Sequence, residues 1–549
     1  MQILSDESKQ GQWKEAHQRN ILNEGFVEVS MSLADPDSLE AAQPRDNGAI
    51  YISNSSGLTD GVDINPSPYS TLEQNIWCLN GTRKSLPESG YGDNGFVSDV
   101  LSDDTCVFNP KFPIITIEFG GTFDKRIPGI TITWSSAYNE YADTFEIIAY
   151  NGETIVAHRE VTGNKSVKSI LLFDIYGYDR IVILVKKWCL PNHRARVEEI
   201  FIGMRKVYGK SALFDYSHRQ SVDPVSTSLP KFEVKFSIDN VDGEYNPYNT
   251  EGLAKYLMTR QEVKARYGLK FDDGSIEWID GGTFYLSEWY AKQNGMTADF
   301  TARDALEFMS ATYTDDEYIV KYDEIQTQGR TLYSLAQKVL EKADLPYPSD
   351  GSPRWIIHDS LKVITTKAHL PNDTLANCLQ LIANAGECVI YPDRKGTLHI
   401  EPLSDETDTS NDTDYKINAF NSYSKSEITL SKPIKALILK VHNYVIVDEI
   451  IGDTTTDYSV NLASSAGETI TIDNPLVTDN ERAESLGQWL GKHLGHRVTL
   501  DSSWRADVRL DALDIVSNEN SYNTNRVRMT DVEFKFNGAF RGTGKGKVI

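Results

Sequence analysis

The sequence predicts a multidomain protein that is mainly β, with smaller α+β portions. Its 549 residues exceed the roughly 250–300 that a single hydrophobic core serves, so several domains are expected. Short runs in which apolar and polar residues alternate recur along most of the chain, separated by Gly, Asn and Pro, and are typical of strands. Apolar residues at helical spacing are clearest in a few stretches after residue 310.

The clearest strand pattern lies in the stretch from Leu229 to Met309. Its first strand is KFEVKFSIDN, in which every second residue is apolar, as expected when one face of a strand is buried. Asp242-Gly243 then predicts a turn, which explains DNVDGEYN better than a calcium loop does. Two further strands are expected to meet in a hairpin at Asn294-Gly295, because Asn-Gly accepts the positive φ angles of a tight turn.

A separate β-sandwich or jelly roll is predicted to interrupt this β domain. Residues 112–203 contain seven strand-like runs at suitable spacing: ITIEF, ITITW, FEIIAY, ETIVAHREV, SILLF, DRIVILVKKW and RVEEIFIG. A first strand is predicted near Phe26, and residues 36–111, rich in Pro, Gly, Asn and Ser, are predicted to be a loop-rich connecting segment. We therefore expect residues 1–35 and 204–310 to form one split domain into which the sandwich is inserted.

A small α+β domain is predicted over residues 311–404. One helix is expected in RTLYSLAQKVLEKADLP, where the apolar residues form a single stripe. A second helix is expected to begin at Asp373, as its N-cap, and to end at Gly386. The hairpin CVIYP-DRKG-TLHIEP follows it.

The last part of the chain is predicted to be a second β domain. Residues 405–416 are polar and acidic, which favours a linker or an exposed loop. Strands and one helix are predicted in residues 417–549. The helix is expected to begin at Thr478-x-x-Glu481, which has the form of a capping box.

Charge and cysteine content narrow the classes of function. With 55 Lys and Arg against 79 Asp and Glu, the formal net charge is −24, and no basic stripe is present to bind phosphates. An acidic wall would instead let DNA slide past without sticking. The five cysteines form no CxxC pair, so buried free thiols are expected rather than a zinc site or disulfides. Neither a signal-peptide pattern nor an apolar run of the ~20 residues of a membrane span is found, which predicts synthesis in a reducing cytosol without membrane insertion.

No stretch of the sequence predicts catalysis, a cofactor or a metal. The motifs HExxH and GxSxG are absent, and in so acidic a chain no pair of carboxylates is singled out by its spacing. His493 and His496 lie three residues apart, as metal ligands sometimes do. A third ligand is not evident from the sequence, and cations are favourable at a helix C-terminus in any case, so no metal site is predicted there.

Aromatic residues of the predicted sandwich are the candidate contact residues. Aromatic faces stack on sugars, so a carbohydrate or protein contact is considered at Trp134, Tyr138, Tyr141 and Trp188. The alternative is that these side chains belong to the core or to strand ends.

Several segments, in their order along the chain, resemble one protein family. FSIDNVDGEYNP, GTFYLSEW, TARDAL and NAGECVIYPDRKGTLHIEPL resemble the hub or tail-tip proteins of phage tails and related injection particles, and NPLVTDNERAESLGQWLGKHLGHR resembles their closing domain. YSTLEQNIWCLNG, FVSDVLSD, ITIEF, GYDRIVI and RARVEEIFIG resemble tail proteins of prophages of Gram-positive bacteria, in which a galactose-binding-like sandwich is inserted into the first hub domain.

The resemblance implies a homotrimeric baseplate hub without enzymatic activity. Two tube-like β-barrel domains per subunit, residues 1–35 with 204–310 and residues 417–549, would form a ring that adapts a six-fold tail tube to a three-fold tip. The implied partners are further copies of the chain, the tail tube protein and other baseplate and tip or spike proteins. DNA would pass through without specific binding. The implied location is the tail tip of a phage or phage-tail-like particle, with synthesis in the host cytoplasm.

Two other functions stay open at this point. One is a tail-associated cell-wall hydrolase, and the other is a secreted carbohydrate-active protein with a sugar-binding domain. In the hub interpretation, the inserted sandwich would contact other baseplate proteins or a cell-surface carbohydrate.

Overall fold

The predicted fold class, mainly β and multidomain, is confirmed by a computed structural model. The model describes residues 1, 2, 4, 9–18, 24–47, 49, 50, 52–55, 57–59, 69, 70, 73, 94–291, 296–346, 348, 352–447, 450–462 and 466–549. Within these ranges, no helix has both the length and the apolar character needed to span a membrane.

The chain begins with two short helices and two strands. They are α1 (Gln10–Gln18), β1 (Gly25–Leu33), α2 (Pro36–Ala41) and β2 (Gln43–Asn47). β1 is the strand predicted near Phe26, and its buried residues include Val27, Val29 and Met31. The Asp35 side chain caps α2 by accepting a hydrogen bond from the Asp37 backbone N–H, at 3.2 Å.

The sandwich follows, and each of the seven predicted runs contributes strand residues. Its strands are β3 (Phe96–Leu101), β4 (Ile114–Phe123), β5 (Ile127–Thr133), β6 (Ala142–Asn151), β7 (Thr154–Val161), β8 (Lys168–Ile175), β9 (Tyr178–Trp188), β10 (Arg194–Val197) and β11 (Glu199–Phe201). One sheet has the order β2-β4-β9-β6-β7, another has the order β11-β5-β8, and β10 pairs with β3. The segment 36–111 is therefore more than a connection, because it supplies β2 and β3. β2, with the sequence QPRDN, is an edge strand without alternating apolar residues, so periodicity does not reveal it.

The chain then returns to the split domain. Its strands are β12 (Met204–Tyr208), β13 (Leu213–Ser221), β14 (Lys231–Asp239), β15 (Glu262–Lys270), β16 (Ile276–Ala291) and β17 (Thr297–Arg303). β14 has the predicted alternation, with Phe232, Val234, Phe236 and Ile238 buried. The predicted turn is present, with the Gly243 N–H donating to the Asn240 carbonyl at 2.9 Å. β16 pairs with β17 as expected, whereas the predicted Asn294-Gly295 turn lies outside the described residues.

In the α+β unit, the residues that the structure describes form four helices and several short strands. They are α3 (Asp316–Val320), α4 (Tyr322–Gln328), β18 (Arg330–Thr331), α5 (Leu332–Ala343), β19 (Trp355–Ile357), β20 (Thr365–Thr366), α6 (Leu375–Ala385), β21 (Val389–Pro392) and β22 (Leu398–Glu401). The apolar stripe of α5 is buried, and β21 and β22 form the predicted hairpin. The N-cap of α6 is Thr374 rather than Asp373, because the Thr374 hydroxyl accepts the Asn377 N–H at 3.2 Å.

The described residues of the closing part form nine strands and one helix. They are β23 (Asp412–Ile417), β24 (Glu427–Leu430), β25 (Ile434–Val447), β26 (Ile450–Asn461), β27 (Glu468–Asp473), α7 (Asn480–Leu494), β28 (Val498–Trp504), β29 (Ile515–Glu519), β30 (Thr524–Phe536) and β31 (Phe540–Val548). Asp479 caps α7, one residue after the predicted Thr478. The segment 405–416 is not a free linker, because its end forms β23, which pairs in parallel with β29.

One large sheet joins the two predicted β domains. Its 13 described strands are the path β12-β1-β15-β16-β17-β14-β13-β30-β31-β28-β24, with β29 attached to β30 and β23 attached to β29. The junction is the antiparallel pairing of β13 with β30, in which Tyr216 faces Phe536 and Ser221 faces Asp531. The buried apolar side chains of both halves form a single cluster. The two halves, hereafter the first lobe (β12 to β13 in this path) and the second lobe (β30 to β24), thus share one sheet and one core.

α7 and strands β25 to β27 form an additional layer. β26, β25 and β27 make their own three-stranded sheet, and Leu486 and Leu490 of α7 share a buried cluster with Leu437 and Leu439 of β25. Gly487 permits this close packing, since a methyl group there would lie 2.6 Å from Cγ2 of Val460.

Candidate functional site

The junction between the lobes is held by a buried arginine. Arg394 lies on the turn between β21 and β22, so its side chain reaches from the α+β unit into the shared sheet. It donates to Oδ1 of Asp511 at 2.7 Å and to the carbonyls of Asp280 and Val508, each at 2.8 Å. Gln220 on β13 donates to the same Asp511 oxygen at 2.9 Å. Both lobes and the α+β unit therefore meet at one ion pair.

A histidine completes the inner side of this junction. His218 on β13 is fully buried, with Nδ1 2.7 Å from the Tyr267 hydroxyl and its ring edge-on to Phe284 at 5.2 Å. Burial, together with the nearby Arg394 charge, lowers the pKa of His218 to about 3. The imidazole is therefore neutral at physiological pH, which suits a core group rather than a proton-transfer group.

The outer face of the same strands carries charges of both signs. On β14, the Lys231, Glu233 and Lys235 side chains point away from the core, and Lys235 pairs with Glu233 at 2.7 Å. Across the junction, Arg219 on β13 lies 3.9 Å from Asp531 on β30. Because cations and anions alternate here, the face has no cluster of cations of the kind that binds phosphates.

The second lobe ends in an exposed edge strand. Among the described residues, β24 pairs with β28 alone, and all four of its residues are exposed. Ile428 and Leu430 are 57% and 63% exposed. Phe420, Tyr423 and Tyr522 are further exposed aromatic residues of the same lobe. An edge that offers unpaired backbone groups beside apolar side chains is suited to pairing with another chain.

Two of the predicted sugar-contact residues are core residues instead. Trp134 and Trp188 are both completely buried, with ring centroids 6.1 Å apart. Their indole N–H groups donate to Ser169 Oγ and to Glu140 Oε2, each at 2.8 Å. Neither ring can stack on a sugar from solvent, because both are completely buried in the sandwich core.

The two tyrosines of the predicted contact are tied to neighbouring loops. Tyr138 is half-buried, its hydroxyl donates to the Tyr69 carbonyl at 2.7 Å, and the Arg196 guanidinium lies 4.7 Å from its ring centroid. Tyr141 is partly buried against the sandwich core; its carbonyl accepts from the Cys189 N–H at 3.0 Å, and its own N–H donates to Cys189 Sγ at 3.3 Å. The structure therefore does not bring the four predicted residues together on one exposed surface.

A cleft lies between α1 and the second lobe. It encloses about 520 Å³ and is lined by Lys14, Asp414, Tyr415, Lys416, Asn418, Phe420, Asn421, Arg505, Asp507 and Arg509. Lys14 and Asp414 pair across it at 2.8 Å. The described lining includes neither histidine nor cysteine. No described side chain of this cleft could therefore serve a reaction that needs an imidazole or a thiol.

A cluster that sequence reasoning missed lies at the C-terminal end of α7. Glu406, His493 and His496 bring a carboxylate oxygen and two imidazole nitrogens within 4.8 Å of one another. His493 Nδ1 is 3.2 Å from Oε1 of Glu406, and His496 Nε2 is 3.0 Å from Oε2. Glu406 is thus the third group that was not evident from the sequence. The spacing of the histidines was visible in the sequence, but nothing in it indicated Glu406.

The described cysteines are free thiols, as predicted. They are Cys106, Cys189, Cys378 and Cys388, whereas Cys78 lies outside the described residues. Burial raises the pKa of Cys378 and of Cys388 to about 12, so both are neutral thiols at physiological pH.

Comparison with known proteins finds likeness only among solved structures. No family model matches the chain, and no curated protein matches it. A 43 kDa tail protein of prophage MuSo2 from Shewanella oneidensis is similar with a TM-score of 0.42 and 14% identity, covering 62% of this chain and 95% of that one. A tail protein from Neisseria meningitidis gives 0.40 and 10%, covering 62% and 93%. A prophage tail protein from Listeria monocytogenes gives 0.36 and 10%, covering 62% and 91%. A likeness at this level concerns the fold alone.

Proposed function

We propose that the chain is a structural hub at the tip of a phage tail or phage-tail-like particle, and that it works as a homotrimer without enzymatic activity. The observation that carries the proposal is the exposed edge strand β24 at the end of a sheet that runs through both lobes. A long-lived soluble protein covers such an edge, and closed cyclic symmetry covers it in every subunit at once. The resemblance of the sequence to hub proteins supports the same assembly.

The lobes explain why three copies would form a six-fold ring. Each chain supplies two β lobes within one sheet, so a trimer presents six lobes around its axis. Such a ring would stack on a six-fold tail tube on one side and on a three-fold tip or spike on the other. The buried Arg394–Asp511 pair would keep the two lobes of a subunit at a fixed angle.

The outer face of the junction is proposed as the channel wall. It includes Lys231, Glu233 and Lys235, whose charges are of both signs, and it belongs to a chain with a net charge of −24. A wall without a cationic cluster would let DNA pass with little residence.

The inserted sandwich is proposed to contact other baseplate proteins. Its two tryptophans are buried, which removes the main support for a cell-surface carbohydrate as the ligand. The same burial weakens the alternative of a carbohydrate-active protein with a sugar-binding domain.

A substitution on β24 tests the assembly. Ile428→Lys with Leu430→Lys places two charges at exposed positions, so the folding stability of the isolated subunit should change by no more than about 0.5 kcal/mol per site. We expect the double variant to lose the trimer in sedimentation velocity, because two desolvated ammonium groups would oppose contact at the edge.

The matched control is Ile155→Lys on β7, an edge strand of the sandwich on which Ile155 is 55% exposed. It should leave the trimer intact. If the β24 variant and the control have the same sedimentation profile as the wild type, β24 is not the subunit contact.

A further inference from the structure

The cluster of Glu406, His493 and His496, hereafter the α7 cluster, joins two distant parts of the closing domain. His493 is in the last turn of α7, and His496 follows the helix end. Glu406 lies some 90 residues earlier, in the segment that leads into β23. Glu406 and His493 are 8% and 7% exposed, so both are almost completely removed from solvent.

Hydrogen bonding leaves the carboxylate incompletely satisfied. His496 Nε2 bonds to Oε2 at 3.0 Å, but Oε1 of Glu406 is buried without a hydrogen-bond partner among the described residues. His493 Nδ1 lies 3.2 Å from that oxygen without forming a hydrogen bond of acceptable geometry. A buried carboxylate oxygen without a partner is costly, which indicates that a further group satisfies it.

The spacing of the three groups fits a small divalent ion. Two ligands of a tetrahedral zinc ion at about 2.0–2.1 Å from the metal are separated by about 3.3 Å. Each imidazole nitrogen lies close to that separation from one of the two carboxylate oxygens, at 3.2 and 3.0 Å, and a single carboxylate oxygen and both nitrogens lie within 4.8 Å of one another. Two imidazoles and one carboxylate are also a donor set that zinc accepts, with a fourth position left for water.

Neighbouring groups hold these ligands in place. Arg526 donates to the Glu406 carbonyl at 2.7 Å and is itself fixed by Asp412 through bonds of 2.7 and 2.5 Å. The Trp489 ring lies edge-on to His493, with centroids 5.2 Å apart. A ligand set that is positioned before the ion arrives loses little conformational entropy on binding.

We propose that the α7 cluster is a structural binding site for a divalent transition metal of the zinc class. The bound ion would fasten the segment before β23 to the end of α7, and would thereby tie the α7 layer to the large sheet. Its role would be to stiffen the second lobe.

The positive charges of two neighbouring side chains would repel a bound metal ion, and this makes the proposal testable. Lys492 Nζ lies 3.5 Å from Oε2 of Glu406, but its side chain is 55% exposed and can turn into solvent. Arg528 is buried nearby and is held by the Ser404 carbonyl at 2.8 Å. Removing the Lys492 charge should therefore increase the affinity of the site for the metal. If the cluster is held by hydrogen bonds alone and binds no metal, the same substitution should produce no metal affinity.

The experiment is calorimetric titration of chelator-treated, dialysed protein with Zn²⁺ alone. We expect one tight site per chain and a rise in melting temperature on addition of Zn²⁺. Glu406→Gln and His496→Gln should each weaken binding at least about tenfold, while Lys492→Met should tighten it. Co²⁺ in place of Zn²⁺ should give the visible absorption of a tetrahedral site, and that absorption should be lost in the Glu406→Gln variant.

The matched control is His442→Asn. His442 also contacts two carboxylates at 2.8 Å, but through opposite ring nitrogens, so Asp453 and Asp473 cannot share one ion with it. This variant should bind Zn²⁺ as the wild type does. Melting temperatures measured in chelator would identify any variant that fails to fold, and His496, at 22% side-chain exposure, is the ligand whose replacement disturbs packing least.

Three results would overturn the proposal. They are the absence of stoichiometric Zn²⁺ binding to the wild type, equal affinity in the ligand variants and the wild type, and weak binding at several sites that marks an adventitious ion only. The oligomeric state is measured separately from metal binding. A failure of the metal proposal can therefore be distinguished from a failure of the proposed hub function.

Discussion

Replacing Arg394 by Met should loosen the junction between the lobes. The substitution removes the charge and donors that Arg394 offers to Asp511 and to the carbonyls of Asp280 and Val508. Asp511 would lose the guanidinium with which it pairs, and would keep amide donors such as Gln220 and the attraction of the N-terminal ammonium. Removing one partner of a buried ion pair costs about 3–5 kcal/mol, because the other charge is left uncompensated.

Hydrogen exchange followed by mass spectrometry measures this loss locally, which suits a multidomain chain whose global unfolding is not two-state. In the peptide that contains Val508 and Asp511, a loss of 3–5 kcal/mol corresponds to exchange roughly 100- to 3,000-fold faster, since each 1.4 kcal/mol is about tenfold. The control is Lys395→Met on the same turn, whose side chain is exposed and which should leave exchange nearly unchanged.

The effect should also depend on pH. Burial acts to raise the pKa of Asp511, but the Arg394 guanidinium, together with the N-terminal ammonium and the Gln2 and Gln220 amides, outweighs it and holds that pKa below the ordinary 3.8. A depressed folded-state pKa contributes stability above the ordinary value, and this contribution is lost as the pH falls through the folded-state pKa. The difference between wild type and variant should therefore shrink below pH 3.8. Equal exchange rates in the wild type and in Arg394→Met at neutral pH would refute the claim that Arg394 holds the junction between the lobes.

Three further outcomes are expected. Trp134→Ala should destabilise the sandwich by about 3–5 kcal/mol, measured by hydrogen exchange of peptides from its strands, and should leave retention on immobilised cell-wall carbohydrate unchanged, because the ring is a core group. Cys378 and Cys388 should resist iodoacetamide at pH 8 until denaturant is added, since burial raises the pKa of both thiols to about 12, and rapid alkylation of the native protein would contradict this. The protein should not retard the migration of double-stranded DNA in a gel, even at low salt, because a net charge of −24 without a cationic cluster disfavours phosphate binding.

Local patterns predicted individual elements well. The alternation along β14 and the apolar stripe of α5 both correspond to buried faces, because the two periods are set by backbone geometry alone. Caps were displaced by one residue, as at Thr374 and Asp479. In each case two adjacent residues can cap a helix, and the choice depends on which of them takes the extended backbone conformation.

These local patterns did not predict the pairings between distant segments of the chain. Nothing local indicates that β13 pairs with β30 or that Glu406 meets His493, because each contact joins segments far apart in the chain. The burial of the aromatic residues was not predictable from the sequence for a different reason. Which face of a strand turns inward depends on the opposing sheet, so Trp134 and Trp188 looked available in the sequence although both are buried in the structure.

Sedimentation equilibrium of the wild-type protein tests the central claim most directly. A hub that covers the β24 edge by three-fold closure predicts a single species with three times the 61.6 kDa mass of the chain, at every loading concentration above its dissociation constant. A stable species of 61.6 kDa at every concentration would contradict it, because the exposed strand would then need no partner.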